Sequence, residues 1–204
     1  MKKFFIFMSI IVIMTVLILF FIFKDSILFN SPNNNNSSAT RLSLNTNTII
    51  QNIPTEKEIS VFSTKIKDNS EGRLTNIRIT CSLINDTILA PGDIFSFNDT
   101  VGQPTSARGY QEATIIVDGE HETGIGGGNC QVSSTLYNAV YDLPFITIIE
   151  RNEHGLPVTY VPEGQDAAVS FGSLDLKFRN DSDKNLRIEM TTDDEDIIAK
   201  IYQK

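Results

Sequence analysis

Nucleophilic chemistry has few candidates in this chain, which holds two cysteines and two histidines in 204 residues. Cys130 closes the run Gly124-Ile125-Gly126-Gly127-Gly128-Asn129, the densest glycine cluster of the sequence. Behind it Val132, Leu136, Ala139, Val140 and Leu143 recur at helical spacing, and Pro144 stops the pattern. A cysteine placed there opens a helix, where backbone N–H groups are unpaired and the dipole favours the attacking thiolate. Glycines without side chains let N–H groups such as those of Gly127 and Gly128 approach a carbonyl and hold the oxyanion formed on attack. The same turn suits a phosphate, but no lysine follows and the run does not match a P-loop. From this pattern alone three readings of Cys130 stay open: a nucleophile, one end of a disulfide with Cys81, or an inert structural thiol.

The other candidates sort by surroundings. Cys81 falls on an apolar stripe, where a free cysteine behaves as a small hydrophobe. His121 follows the Asp118-Gly119 turn between Glu120 and Glu122, a setting for a solvated side chain. His154 lies in the loop 151–155 after a β-branched run, and loops at strand ends are where catalytic groups project. His154 is therefore the candidate base.

The elements that must position these residues read as α+β. Ile59–Ile66 suits a first strand. Leu74, Ile77, Cys81, Ile84 and Ile88, spaced by three and four, form the stripe of an amphipathic helix ended by Pro91-Gly92. Asp93–Phe97 reads as a short strand, and Ala113–Val117 with the residues after Asp118-Gly119 as a hairpin on a tight two-residue turn. Strands are also expected at Phe145–Ile149, Leu174–Phe178, Leu186–Met190 and Ile197–Tyr202, the last two joined by the acidic turn Asp193–Asp196. The expectation is one domain of two main helices and a mostly antiparallel sheet.

Before that domain comes different material. Residues 4–23 contain only Ser9 and Thr15 as polar residues, and as a helix they span roughly 30 Å, a bilayer's hydrocarbon thickness. No small-residue cleavage site follows, so an uncleaved anchor is the first reading and a cleaved signal the second. Lys2 and Lys3 favour a cytoplasmic N-terminus and an extracytoplasmic domain. The expected organisation is an anchor over 1–24, a flexible Asn/Ser-rich tether over 25–57, and a domain over 58–204.

Charge and composition exclude several functions. Three of the 17 basic residues flank the apolar run, leaving 14 against 25 acidic residues beyond it, a net charge of −11. No cluster of four basic residues occurs, which argues against a nucleic-acid partner. Two histidines and two cysteines make a multi-ligand zinc site hard to build. The sequence calls for no metal and no cofactor.

The segments PGDIFSFNDTVG (91–102), ARGYQEATIIVDG (107–119), GIGGGNCQVSSTLYNAV (124–140) and ERNEHGLPVTYVPEGQDAAVSFGSLDLKFRN (150–180) resemble the VanW-like domain family. That family takes its name from an accessory protein of vancomycin-resistance gene clusters. The resemblance runs from about Phe62 to about Asn180 and is carried by several long motifs in the family's order. It implies an L,D-transpeptidase that cross-links peptidoglycan through the cysteine of a GGG-x-CQ motif, here Cys130. Counterparts of Gln131, Ser133, Ser134, Arg151, His154, Tyr160, Gly164 and Asp166 are present. Asn129 departs from the family's usual residue and suits a helix N-cap.

On that resemblance His154 serves as base, and Asp166 orients it or attracts an acceptor ammonium. Gly127, Gly128, Gln131, Ser133, Arg151 and Tyr160 fall to oxyanion or substrate binding, with Arg151 suited to a stem carboxylate or to a plain ion pair. The partners expected are peptidoglycan stem peptides and the membrane. Two alternatives remain: a non-enzymatic wall-binding module, and a hydrolase with water as acceptor.

Overall fold

The computed structural model describes residues 56–117 and 120–204, apart from the side chains of Val117 and His121. The anchor and nearly all of the tether lie outside the described residues. Among the described residues no helix is long and apolar enough to cross a membrane.

The described chain is α+β, with three α-helices and antiparallel sheets. The largest sheet has four strands in the order β1-β9-β8-β2: β1 (Lys57–Lys65), β2 (Thr87–Leu89), β8 (Leu186–Thr192) and β9 (Asp196–Gln203). Along β8 and β9 alternate residues Leu186, Ile188, Met190, Ile197, Ala199 and Ile201 are buried, so one face of the sheet is apolar. Helices α1 (Glu71–Ile84) and α3 (Asn129–Val140) cover that face. Leu74, Ile77, Cys81 and Ile84 of α1 and Val132, Leu136, Ala139 and Val140 of α3 fill the space between. Two layers share one core.

A second sheet, order β3-β7-β6, holds β3 (Ile94–Ser96), β6 (Ile146–Glu150) and β7 (Lys177–Asn180). Phe95 and Phe178 stack in it with ring centroids 4.9 Å apart. The remaining strands, β4 (Glu112–Val117) and β5 (Glu120–Ile125), form a hairpin in which Val117 pairs with Glu120. The turn expected at Asp118-Gly119 lies outside the described residues.

Three expectations are corrected. The apolar stripe suggested a helix running to Pro91, but α1 stops at Ile84. Asp86 takes a left-handed φ of 62° and its N–H joins Ile188 O at 2.8 Å, so the chain turns into β2 and Ile88 faces solvent. Pro91-Gly92 instead makes the turn between β2 and β3. The strand expected over Leu174–Phe178 begins only at Lys177, because Asp175 turns inward. Its carboxylate accepts from the Ser96 hydroxyl at 2.7 Å and from the Asn98 N–H at 2.9 Å. Finally, Phe97 does not continue a strand but starts a third, one-turn helix, α2 (Phe97–Val101), capped by Ser96 Oγ accepting from Asp99 N–H at 3.1 Å.

Candidate active site

The glycine turn is shaped by close approach on both sides. A Cβ on Gly127 would sit 2.5 Å from Thr114 O of β4, and one on Gly128 would sit 2.9 Å from Ile77 Cγ1 of α1. Gly128 also takes φ +115°, a backbone region that side chains disfavour. The turn is thus wedged between hairpin and helix, and it delivers Cys130 to the first turn of α3. Among the described residues the N–H groups of Gly127, Gly128 and Cys130 have no hydrogen-bond acceptor, whereas Asn129 N–H donates to Gly126 O. Asn129 is not the side-chain cap expected: its Oδ1 accepts from Thr80 Oγ1 at 2.7 Å, tying α3 to α1.

Cys130 Sγ donates to Val169 O at 3.4 Å, and its other polar neighbour is the His154 imidazole. His154 is held from behind. Its Nδ1 lies 2.5 Å from Asp166 Oδ2, and its backbone N–H donates to the same oxygen at 2.7 Å. Asp166 is gripped in turn by Arg151, whose Nη2 donates to Oδ1 at 3.2 Å and whose Nε donates to the Asp166 carbonyl. Burial by itself would lower the His154 pKa, but the hydrogen bonds and charges of Cys130 and then Asp166 outweigh it and raise it. For Asp166 burial works upward, yet the His154 backbone and ring donors bring it below the usual carboxylate range. The result is a sulfur, an imidazole and a carboxylate in a row, the order a nucleophile, base and orienting group require.

These groups line a cavity of about 250 Å³, walled by Arg73, Gly127, Gly128, Cys130, His154 and Tyr160 among others. Tyr160 meets His154 edge-on with centroids 6.5 Å apart, and burial raises its phenol pKa. A second lobe of about 350 Å³ shares Arg73, Thr114, Ile116, Gln131 and Tyr160 with the first and continues past Lys67 and Asp68. Among the described residues no three His, Cys, Asp or Glu side chains converge as metal ligands.

Other residues singled out from the sequence lie elsewhere or act differently. Ser133 is fully buried and its hydroxyl donates to Ala167 O at 2.5 Å, so it fastens the loop carrying Asp166 rather than meeting a substrate. Ser134 does the same work, accepting from Ala167 N–H at 2.9 Å. Arg151 is not open to a stem carboxylate. Its donors go to Asp166, Glu153 and Gly164 O, and its guanidinium lies over the Tyr137 ring. Gln131 borders the cavity, but its amide is spent internally: Nε2 donates to Thr64 Oγ1 and Lys65 O, and Oε1 accepts from Arg73 Nη2. His121 lies in β5 opposite Ile116. The two cysteines are not bonded. Cys81 is buried in the core, which pushes its thiol up to about 12.

Arg73 escaped the sequence reading. A single basic residue bordering the Leu74–Ile77–Cys81 stripe carries no motif, and only the packing of α1 on the glycine turn brings it to the cavity.

A family model described as VanW like protein matches residues 72–202. The chain is 38% identical over 146 residues to the uncharacterized protein YoaR of Bacillus subtilis (strain 168), covering 72% of this chain and 48% of YoaR. It is 33% identical over 137 residues to the vancomycin B-type resistance protein VanW of Enterococcus faecalis (strain ATCC 700802 / V583), covering 65% of this chain and 50% of VanW. The chain therefore spans about half the length of these relatives. No solved structure matches it. The matched stretch contains Cys130, His154 and Asp166, and the chain belongs to the VanW like protein family.

Proposed function

We propose that the chain is a cysteine-dependent acyltransferase of the L,D-transpeptidase type, acting on peptidoglycan stem peptides. The observation that carries this reading is the Asp166–His154–Cys130 row beside three unpaired N–H groups. The family's cell-wall setting, implied by the resemblance, supplies the substrate class, and residues 4–23 would hold the domain at the outer membrane face.

In this mechanism the Cys130 proton passes to His154 and the thiolate attacks the carbonyl carbon of the third residue of a tetrapeptide stem. The S–H leaves Val169 O for the imidazole as the site fills, a tightening common between resting and substrate-bound sites. The oxyanion takes N–H donors from Gly127, Gly128 and Cys130. Collapse breaks the C–N bond, and His154 returns its proton to the departing D-alanine amine. The resulting thioester is attacked by a side-chain amine of a neighbouring stem. Cys130 leaves as thiolate, one amide bond replaces another, and the amine's surplus proton restores the thiol through His154.

Incubating the full-length chain with stem tetrapeptides and analysing protein and products by mass spectrometry tests this. Acylation at Cys130 with linked dimers is the expected result. Acylation with tripeptides alone would make the protein a hydrolase, with water as acceptor. Unchanged tetrapeptide and unmodified Cys130 would leave a wall-binding module. Protease accessibility of the domain from outside intact cells, with the chain in the membrane fraction, tests the location.

A further inference from the structure

Arg73 occupies an unusual position among the arginines of the described residues. Arg78, Arg151, Arg179 and Arg187 each pair with carboxylates, and Arg108 donates to the carbonyls of Val101 and Gln103. Arg73 has neither kind of partner. Its Nη2 donates to Gln131 Oε1 at 2.8 Å, and its Nε is buried with nothing to donate to. A buried charged N–H without an acceptor is costly, and a ligand entering the cleft can supply one.

The surroundings hold this guanidinium in place. Its stem passes over the turn, with Cγ 3.5 Å from where a Cβ on Gly128 would sit. The Gln131 amide that receives Nη2 is itself anchored on Thr64 and Lys65, so one end of the fork is fixed while the side chain lines both lobes of the cleft. Arg73 borders both lobes of the cleft and meets Gly128, the cap of Cys130's helix, only through space. Asp68, which lines the second lobe, is no substitute: it accepts from Ser70 N–H at 3.0 Å, the main cause of its lowered pKa, and Arg73 is the weakest of its influences.

We propose that Arg73 is the specificity-determining residue of this cleft and binds a free carboxylate of the peptide whose carbonyl lies at Cys130. Nε–H has no acceptor among the described residues, and when the side chain turns toward a ligand in the cleft it completes the planar fork that a carboxylate accepts bidentately. Gln131 is then a positioning residue: it aims the fork and touches no substrate. The inference rests on the acyl-transfer reading only in taking a stem peptide as ligand. Such a peptide carries two sources of this chemistry, its C-terminal carboxylate and a side-chain carboxylate, and two amidated analogues separate them.

Calorimetric titration of the full-length Cys130→Ala chain with three tetrapeptides tests the proposal: the free acid, the C-terminal amide and the side-chain amide. One amide should bind about 10- to 100-fold more weakly than the free acid, the loss typical of a charge-assisted pair. Adding Arg73→Gln should weaken the free acid by a similar factor and that amide hardly further, while Arg73→Lys should recover part of the loss. Equal binding of all three peptides, or an Arg73→Gln loss that is the same for every peptide, would overturn it. The amide arm needs no Arg73 variant, so a misfolded variant does not decide the outcome. If the peptides discriminate but wild-type Cys130 is never acylated, the acyl-transfer reading fails and the carboxylate site stands. If Cys130 is acylated equally well by acid and amides, the reverse holds.

Discussion

Asp166→Asn is the sharpest perturbation of the candidate site, because it removes charge while leaving shape. Asp166 Oδ2 accepts two donors from His154, at 2.7 and 2.5 Å, and Oδ1 accepts Arg151 Nη2 at 3.2 Å. An amide offers one acceptor oxygen. If it faces His154, its NH₂ meets the Arg151 donor; if it is flipped, the NH₂ meets both His154 donors. At least one charged partner is left facing a donor, with side chains only 5% exposed for His154 and 10% for Asp166. Breaking a buried pair outright costs about 3–5 kcal/mol, and the amide keeps part of the hydrogen bonding, so a loss of about 2–4 kcal/mol is expected.

The sign of the pH dependence is fixed by the two shifts. The His154 pKa is raised in the fold, so its contribution is fully present below about 6.5 and is lost as pH rises through the folded value. Asp166 is depressed, so its contribution is present above about 3.9 and is lost as pH falls through its folded value. Between those limits both are charged in the wild type. In the variant a buried imidazolium has lost its counter-charge there. Urea denaturation at pH 5.5 and 8.5 should therefore show a larger destabilisation at the lower pH. Acylation of Cys130 should fall by about 10²–10⁴-fold as the base loses its orientation. A destabilisation within about 0.5 kcal/mol of zero, or one that grows with pH, would refute the pairing of Asp166 with a charged His154.

Three further outcomes follow from the same geometry. Cys130→Ala should abolish the acyl adduct seen by mass spectrometry and leave the thermal melt in place, whereas Cys81→Ala should keep the adduct and lose roughly 1 kcal/mol or more from the core. In rapid-quench acylation His154→Ala should slow Cys130 by about 10²–10⁴-fold while His121→Ala changes it little. Gly128→Ala should cost about 1–3 kcal/mol in denaturation and slow acylation, since φ +115° and Ile77 Cγ1 at 2.9 Å force the turn to shift.

What could be read from the sequence were features set by neighbours along the chain. The alternation of Ile197, Ala199 and Ile201 and the stripe of α1 each follow from periodicity within a few residues. The misread boundaries share a cause. Ile88 continues the helical spacing of Ile84, and only the pairing of β2 with β8, a contact across about a hundred residues, ends the helix first. Likewise Leu174 and Asp175 fit a strand pattern until Ser96 and Asn98 claim the Asp175 carboxylate.

The site divides in the same way. A glycine run followed by an apolar period places Cys130 at a helix start by local rules alone, and Cys81 on its stripe is a core residue by the same rules. Which side chains face Cys130 is a matter of long loops folding back. Asp166 meets His154 over 12 residues, Arg73 meets Gln131 over 58, and Ala167 draws in Ser133 over 34. Arg151 suited a stem carboxylate or a plain ion pair until Asp166, Glu153 and Gly164 took its donors, and Arg73 drew no reading until α1 packed against the turn. Secondary structure and the nucleophile's helix cap come from short-range sterics and periodicity, which a sequence displays. The partners of each polar group come from competition among donors and acceptors brought together through space, and that only the folded chain decides.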